Sequence, residues 1–390
     1  EPLTGLEAAS RMASRATFGL NYEDILALDE QGQEAWLERQ FMLPVSRHRP
    51  VEEQLFRRLA AGDFDVLEGA DNIRFAFWRM AWWHRTMTAE DQLRQRVAFA
   101  LSEIFVVSDK AGILAATPYA LSDYYDMLLQ HSFGNFRNLL LDVTLHPSMG
   151  VYLSHINNAK ADPENNTYPD ENYAREVMQL FSIGLFELNP DGSEKLDGEG
   201  QPIPTYDNGD IREFAKVFTG LSLGGDNDRF GAGGPVSTEP MKMFDAFHEP
   251  GEKYLLRGEV LPAGQTGMAD IEGAVDNLFR HPNVGPFIGR QLIQRLVTSN
   301  PSLEYVARVT AAFNGVGGTP RGDMRTVLRA ILLDPEALAM PAPEGKGGKL
   351  REPLLRVVSV LRQLGAASPD GVLANGGYFT TRAGDMLFVF

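Results

Sequence analysis

A mainly α-helical globular fold is predicted by three observations. Apolar residues recur three and four positions apart over most of the chain, capping residues stand where those stretches begin, and period-two alternation is scarce. The 390 residues are 44% hydrophobic and 23% charged, ample for a large core. The expected arrangement is a multi-helical globular body over 46–390, preceded by an N-terminal helical extension over 1–45. A small β-hairpin insertion over 185–207 and a Gly/Pro-rich irregular excursion over 221–267 interrupt the body. The alternative is two helical domains divided near 220–267.

The elements follow in order. Thr4-Gly5-Leu6-Glu7 reads as a capping box opening a helix through Arg15. Asn21 caps a second helix carrying Ile25, Leu26 and Leu28, and Gln33 to Phe41 forms a third with Trp36, Leu37 and Phe41 on one face. Asp71 to Met87 is rich in aromatics on several faces, the mark of a core helix. A carbohydrate platform of Trp78, Trp82 and Trp83 would require those rings to be exposed. Asp91 to Val107, Ser122 to His131 and Phe136 to Leu145 continue the periodicity. The polar segment from Asn157 to Pro169 breaks it, and Pro169 then opens a helix to about Ile183, stopped by Gly184. Turn signals at Asn189 to Gly192 and Asp197 to Gly200 frame the hairpin. A helix from Asp210 to Thr219 follows. After the irregular excursion, helices are expected over 271–280, 284–297, 303–313, 324–333 and 350–364. Asn300-Pro301 gives the cap and first turn of one of them, and Gly345 to Gly348 is a linker.

Composition excludes several classes of function. The net charge is −16, so the surface repels phosphate backbones and anionic lipid heads, and no nucleic-acid partner is expected. The chain holds no cysteine, which removes disulfides, thiol nucleophiles and Cys-ligated zinc. No apolar run is long enough for a membrane span. The chain starts at Glu1 and stops within the apolar run Met386 to Phe390. The expectation is a fragment whose leader has been removed, the alternative at the C-terminus being a buried strand. Oligomeric state is left open.

Several stretches resemble a bacterial family known as domain of unknown function 1800. They begin with Arg15-Ala16-Thr17-Phe18-Gly19, then Leu93 to Leu101 running on to Ile104 to Ser108. The most specific block is His146 to Gly150, then Pro169 to Glu176 with Met178 to Phe181. Phe218-Thr219-Gly220, His248 with Gly251-Glu252-Lys253, His281-Pro282 with Arg290 to Leu292, and Leu350 to Leu354 complete it. The match runs in order over nearly the whole chain. The resemblance implies an α-helical, exported bacterial protein, periplasmic or extracellular. It brings no established catalytic residue.

The strongest candidate site is the helix after Pro169. Asn172, Arg175, Glu176 and Gln179 share one face by helical spacing, and Tyr173, Val177, Leu180 and Phe181 share the other. In a catalytic reading, Glu176 is the acid or base, Arg175 tunes it and holds substrate, and His155 assists. Asn172, Gln179, Asn158, Glu171 and His248 would contact substrate. The competing reading is a solvated face with local ion pairs, in which Asp170 and Glu171 merely favour the helix N-terminus. His146 and His281, each followed by Pro, read as helix-start residues. With seven His and no His-x-x-x-His pair, no transition-metal site is expected and no cofactor is assigned. A calcium or magnesium site from Asp170, Glu171 or Asp210 stays open. The acidic turns at Asp191 and Asp197 depart from calcium-loop spacing and read as hairpin turns. No Gly-x-Ser-x-Gly elbow or phosphate-binding loop is present, and Gly224-Gly225 and Gly231 to Gly234 read as loop. Two functions follow. One is an exported hydrolase or lyase acting on a polar polymer such as a polysaccharide. The other is a non-catalytic binding or assembly protein of the cell envelope using the same face.

Overall fold

Apolar residues three and four apart become helices along nearly the whole chain. The computed structural model describes residues 3–62, 76–233, 236, 238–340 and 347–368. Among these residues lie eighteen α-helices and two small two-stranded sheets, so the fold is mainly α. The apolar end at Met386 to Phe390, the start of the Asp71 segment, Gly234 and Gly345 fall outside the described residues.

The first three helices are α1 (Gly5–Ala16), α2 (Tyr22–Gln31) and α3 (Gln33–Met42). Asn21 caps α2 by accepting from the Asp24 N–H. Thr4 stands at the α1 cap with extended backbone, yet its side chain makes no capping bond. The expected box at Thr4 to Glu7 is therefore not formed. Next come α4 (Arg49–Ala61), α5 (Phe77–Thr88), α6 (Gln92–Ser102), α7 (Gly112–Ala116) and α8 (Ala120–His131). The sequence reading passed over α4. Its N-terminus is satisfied from another element, because the Asp126 carboxylate on α8 accepts from the His48 and Arg49 N–H groups at 2.6 and 3.0 Å. Trp78, Trp82 and Trp83 are all buried, which makes them core and removes the platform reading.

Helices α9 (Phe136–Leu145), α10 (Pro147–Tyr152), α11 (Asn172–Gln179) and α12 (Asn208–Val217) carry the central part of the chain. The helix expected at Pro169 begins three residues later, where the Asp170 carboxylate accepts from the Asn172 N–H at 2.7 Å. The β insertion is three short segments rather than two. Glu187 N–H donates to Ile203 O, Lys195 N–H to Glu187 O, and Ile203 N–H to Lys195 O, closing a ring of segments eight residues apart. Asp191 and Asp197 make their turns by accepting from the Ser193 and Glu199 N–H groups.

The excursion after α12 holds β1 (Leu221–Ser222) paired antiparallel with β2 (Lys242–Met243), and β3 (Lys253–Tyr254) paired with β4 (Val260–Leu261). The rest is α13 (Gly267–Arg280), α14 (Val284–Leu296), α15 (Leu303–Phe313), α16 (Met324–Leu332), α17 (Pro335–Leu338) and α18 (Pro353–Gln363). Ser302, not Asn300, caps α15 by accepting from the Tyr305 N–H. One continuous apolar cluster runs from Ala9 on α1 to Val358 on α18. A smaller one joins α4 to α5 through Val51, Leu55, Phe77, Met80 and Ala81.

Candidate functional site

Alternation of polar and apolar residues gives α11 two unlike sides. Tyr173, Ala174, Val177 and Met178 are buried, and the Tyr173 hydroxyl bonds Thr144 Oγ1 on α9 at 2.8 Å. The opposite side carries the predicted strip. Asn172 is exposed, while Arg175, Glu176 and Gln179 are partly so. Arg175 reaches back to Glu171 at 3.4 Å, one turn earlier, and Gln179 Oε1 accepts from the Tyr206 hydroxyl at 3.3 Å. Burial pushes the Glu176 carboxyl above its ordinary value, with Arg175 opposing. Leu180 departs from the expected apolar stripe. It lies past the last helical residue, where the chain turns, and is exposed.

The structure does not bring His155 to this strip. Its ring is fully buried and stacks on Tyr173 with centroids 3.9 Å apart. It therefore lies against the side of α11 that faces the core. Its Nε2 is 2.9 Å from the Thr144 carbonyl, to which it donates, and its Nδ1 has no partner among the described residues. Burial lowers its pKa to about 4, against the opposing effects of that carbonyl and of Asp170. Asn158 is buried as well. Its side chain accepts from the Asp170 N–H at 2.9 Å, and its carbonyl accepts from the Gly220 N–H at 2.7 Å. It pins the polar loop to β1 and to the start of α11.

His248 lies in a second constellation, centred on Asp270 in the first turn of α13. His248 Nε2 is 2.8 Å from Asp270 Oδ2, and its Nδ1 donates to the Thr219 carbonyl at 2.9 Å. Lys253 on β3 forms a direct ion pair with the same carboxylate and lies 3.2 Å from His248 Nε2. Gln265 bonds the other carboxylate oxygen. His248, Lys253 and Asp270 are all buried. Burial alone would raise the Asp270 pKa, but the bonds from His248, Lys253 and Gln265 outweigh it and hold it below its ordinary value. One carboxylate thus clasps the excursion onto α12 and α13. The sequence singled out His248 and, through the family resemblance, Lys253. Asp270 carried no local signal, since it stands seventeen residues beyond Lys253 on a different element.

The remaining candidates have local roles. His146 Nδ1 caps α10 by accepting from the Ser148 N–H, and His281 Nδ1 accepts from the Asn283 N–H in the turn before α14. Asp170 is bonded to Ser154, and Asp210 completes a capping box with Asp207. Among the described residues, no group of three His, Asp or Glu side chains is placed to hold a metal ion.

The fold is thus a mainly α protein with a polar helical strip at its surface and a buried His–Asp–Lys clasp beside it. The model of the family described as protein of unknown function (DUF1800) matches residues 11–386, nearly the whole chain, and the protein belongs to that family. No curated protein and no solved structure matches it.

Proposed function

We propose that the protein is a non-catalytic binding protein that holds a hydroxylated polymer, a polysaccharide, along the polar strip of α11. One observation carries this reading. Asn172, Arg175, Glu176 and Gln179 face solvent from a helix locked on its other side, while His155 lies on that locked side and cannot assist Glu176. A preorganised row of amide, guanidinium and carboxyl groups suits recognition of hydroxyls, because little side-chain order has to be created on binding. Tyr168, exposed in the adjoining loop, supplies a ring for a sugar face. Location outside the cytoplasm belongs to the same reading and rests on the family resemblance. Fractionation of the native host, probed with antibody, checks it.

Calorimetric titration against a panel of neutral and acidic glycans tests the binding. Arg175→Ala with Gln179→Ala is expected to weaken glycan binding at least tenfold and to leave the melting temperature unchanged. Binding that is absent from the unmodified protein, or that ignores both substitutions, overturns the reading. The second reading, a hydrolase or lyase on the same polymer, is favoured by the raised pKa of Glu176, which suits a general acid. It requires turnover of a panel member that Glu176→Gln abolishes.

A further inference from the structure

A cavity of about 240 Å³ lies between α5, α6, α8 and α14, far in sequence from the polar strip. Its sides are aromatic, from Trp78, Phe99, Phe105 and Tyr124. Much of one wall is the stretch from Phe99 to Ser108, part of a segment through which the sequence resembles its family. The other end is polar, formed by Glu103 and Arg295. Arg295 Nη2 donates to the Glu103 carbonyl at 3.0 Å and Nη1 to the Gln291 carbonyl at 3.3 Å. Its Nε and the Glu103 Oε2 stand 3.8 Å apart, and neither has a hydrogen-bond partner among the described residues.

Behind this end lies Arg96, only 2% exposed. Its Nη2 donates to the Arg295 carbonyl at 2.5 Å, and its Nε and Nη1 have no partner among the described residues. Its guanidinium carbon is 5.6 Å from the Phe99 ring that lines the cavity. Arg96 does not line the cavity, so it acts there through its charge alone. Of the nearby carboxyls, Glu352 pairs with Lys349 at 2.8 Å, and burial raises the Glu103 pKa against the opposing charges of Arg96 and Arg295.

We propose that this cavity binds a small organic carboxylate with a flat apolar body, its carboxylate directed at Arg295 and backed by the positive charge of Arg96. The aromatic walls would take the body, and the positive charge of Arg295 in the cavity lining would draw the carboxylate. The volume is below the roughly 300 Å³ at which drug-sized sites begin, so the ligand is about the size of benzoate. A cation held in an aromatic cage fits less well, because Glu103, the one carboxyl lining the cavity among the described residues, is set against Arg295.

Ligand-observed NMR and calorimetry on the full chain test this with benzoate, phenylacetate and hexanoate. Benzamide serves as the neutral isostere and benzylamine as the cation. The carboxylates are expected to bind at least tenfold more tightly than benzamide. Arg295→Gln is expected to remove that preference, and Glu103→Gln to keep or strengthen it. Preference for benzylamine, no binding of any probe, or carboxylate binding indifferent to Arg295→Gln each overturns the proposal. If Arg295→Gln fails to fold, the comparison of benzoate with benzamide on the unmodified protein still decides it. Substitutions on α11 leave this binding untouched, so its failure and that of the glycan reading are distinguishable.

Discussion

His155 and Glu52 are buried titratable groups of opposite kind, and they shift stability with pH in opposite directions. His155 has an ordinary pKa near 6.5 when unfolded and about 4 when folded. Between those values the unfolded chain binds a proton that the folded chain does not. Its contribution is fully present above about pH 6.5 and is lost as pH falls, by about 2 kcal/mol at pH 5. His155→Phe is expected to flatten the difference between urea unfolding at pH 7 and at pH 5. Glu52 on α4 is 3% exposed, and burial raises its carboxyl to about 7. Here the folded chain holds the extra proton, so stability present below about pH 4.5 is lost as pH rises through 7. Glu52→Gln, which keeps an oxygen for the Tyr119 N–H, is expected to stabilise by up to about 3 kcal/mol at pH 8 and by almost nothing at pH 4. Equal effects at the two pH values would contradict this.

At the scale of elements, capping shows how far local sequence can be read. Thr4 and Glu7 have the spacing of a box and do not form one, whereas Asp207 accepts from the Gly209 and Asp210 N–H groups and Asp210 answers by accepting from the Asp207 N–H. Asp207→Ala is expected to cost about 1 kcal/mol in chemical denaturation, and Thr4→Ala close to nothing. Gly184, read as a helix stop, has φ +73°, and a Cβ there would lie 2.8 Å from the Phe287 ring. Gly184→Ala is therefore expected to destabilise by about 1–3 kcal/mol. The helix expected to run to about Ile183 ends at Gln179, and Gly184 instead closes the turn that follows it. The contact with Phe287 was not legible in the sequence, since that residue arrives on α14.

At the scale of the molecule, the N-terminal helices are bound into the common core. Ala9, Met12, Phe18 and Trp36 belong to the main apolar cluster. Arg11 and Arg15 on α1 donate to the Ala337 carbonyl, and Arg362 on α18 donates to the Gly19 carbonyl. Deleting residues 1–45 would expose that interface and leave the Ala337 carbonyl and the Arg362 Nε without these partners. Such a variant is expected to be aggregated or to lack a cooperative melt by circular dichroism. A soluble variant with an unchanged transition would show that the extension folds apart from the body.

The sequence by itself determined most of the helices, though not α4 or α7, and the two-sidedness of α11, because these depend on residues three and four apart. It also marked His248 and the polar loop at Asn157 as unusual. It could not tell that His155 would pass beneath α11, since a residue eighteen positions before Tyr173 carries no periodic relation to it. Nor could it join Asp270 to Lys253, bring Arg96 to the Arg295 carbonyl, or set Arg295 in one cavity lining with Trp78 and Tyr124. Those meetings involve residues up to about two hundred positions apart on separate helices. Only the packing of one helix on another decides which side chains meet, and burial then decides which are left charged, neutral or unpaired.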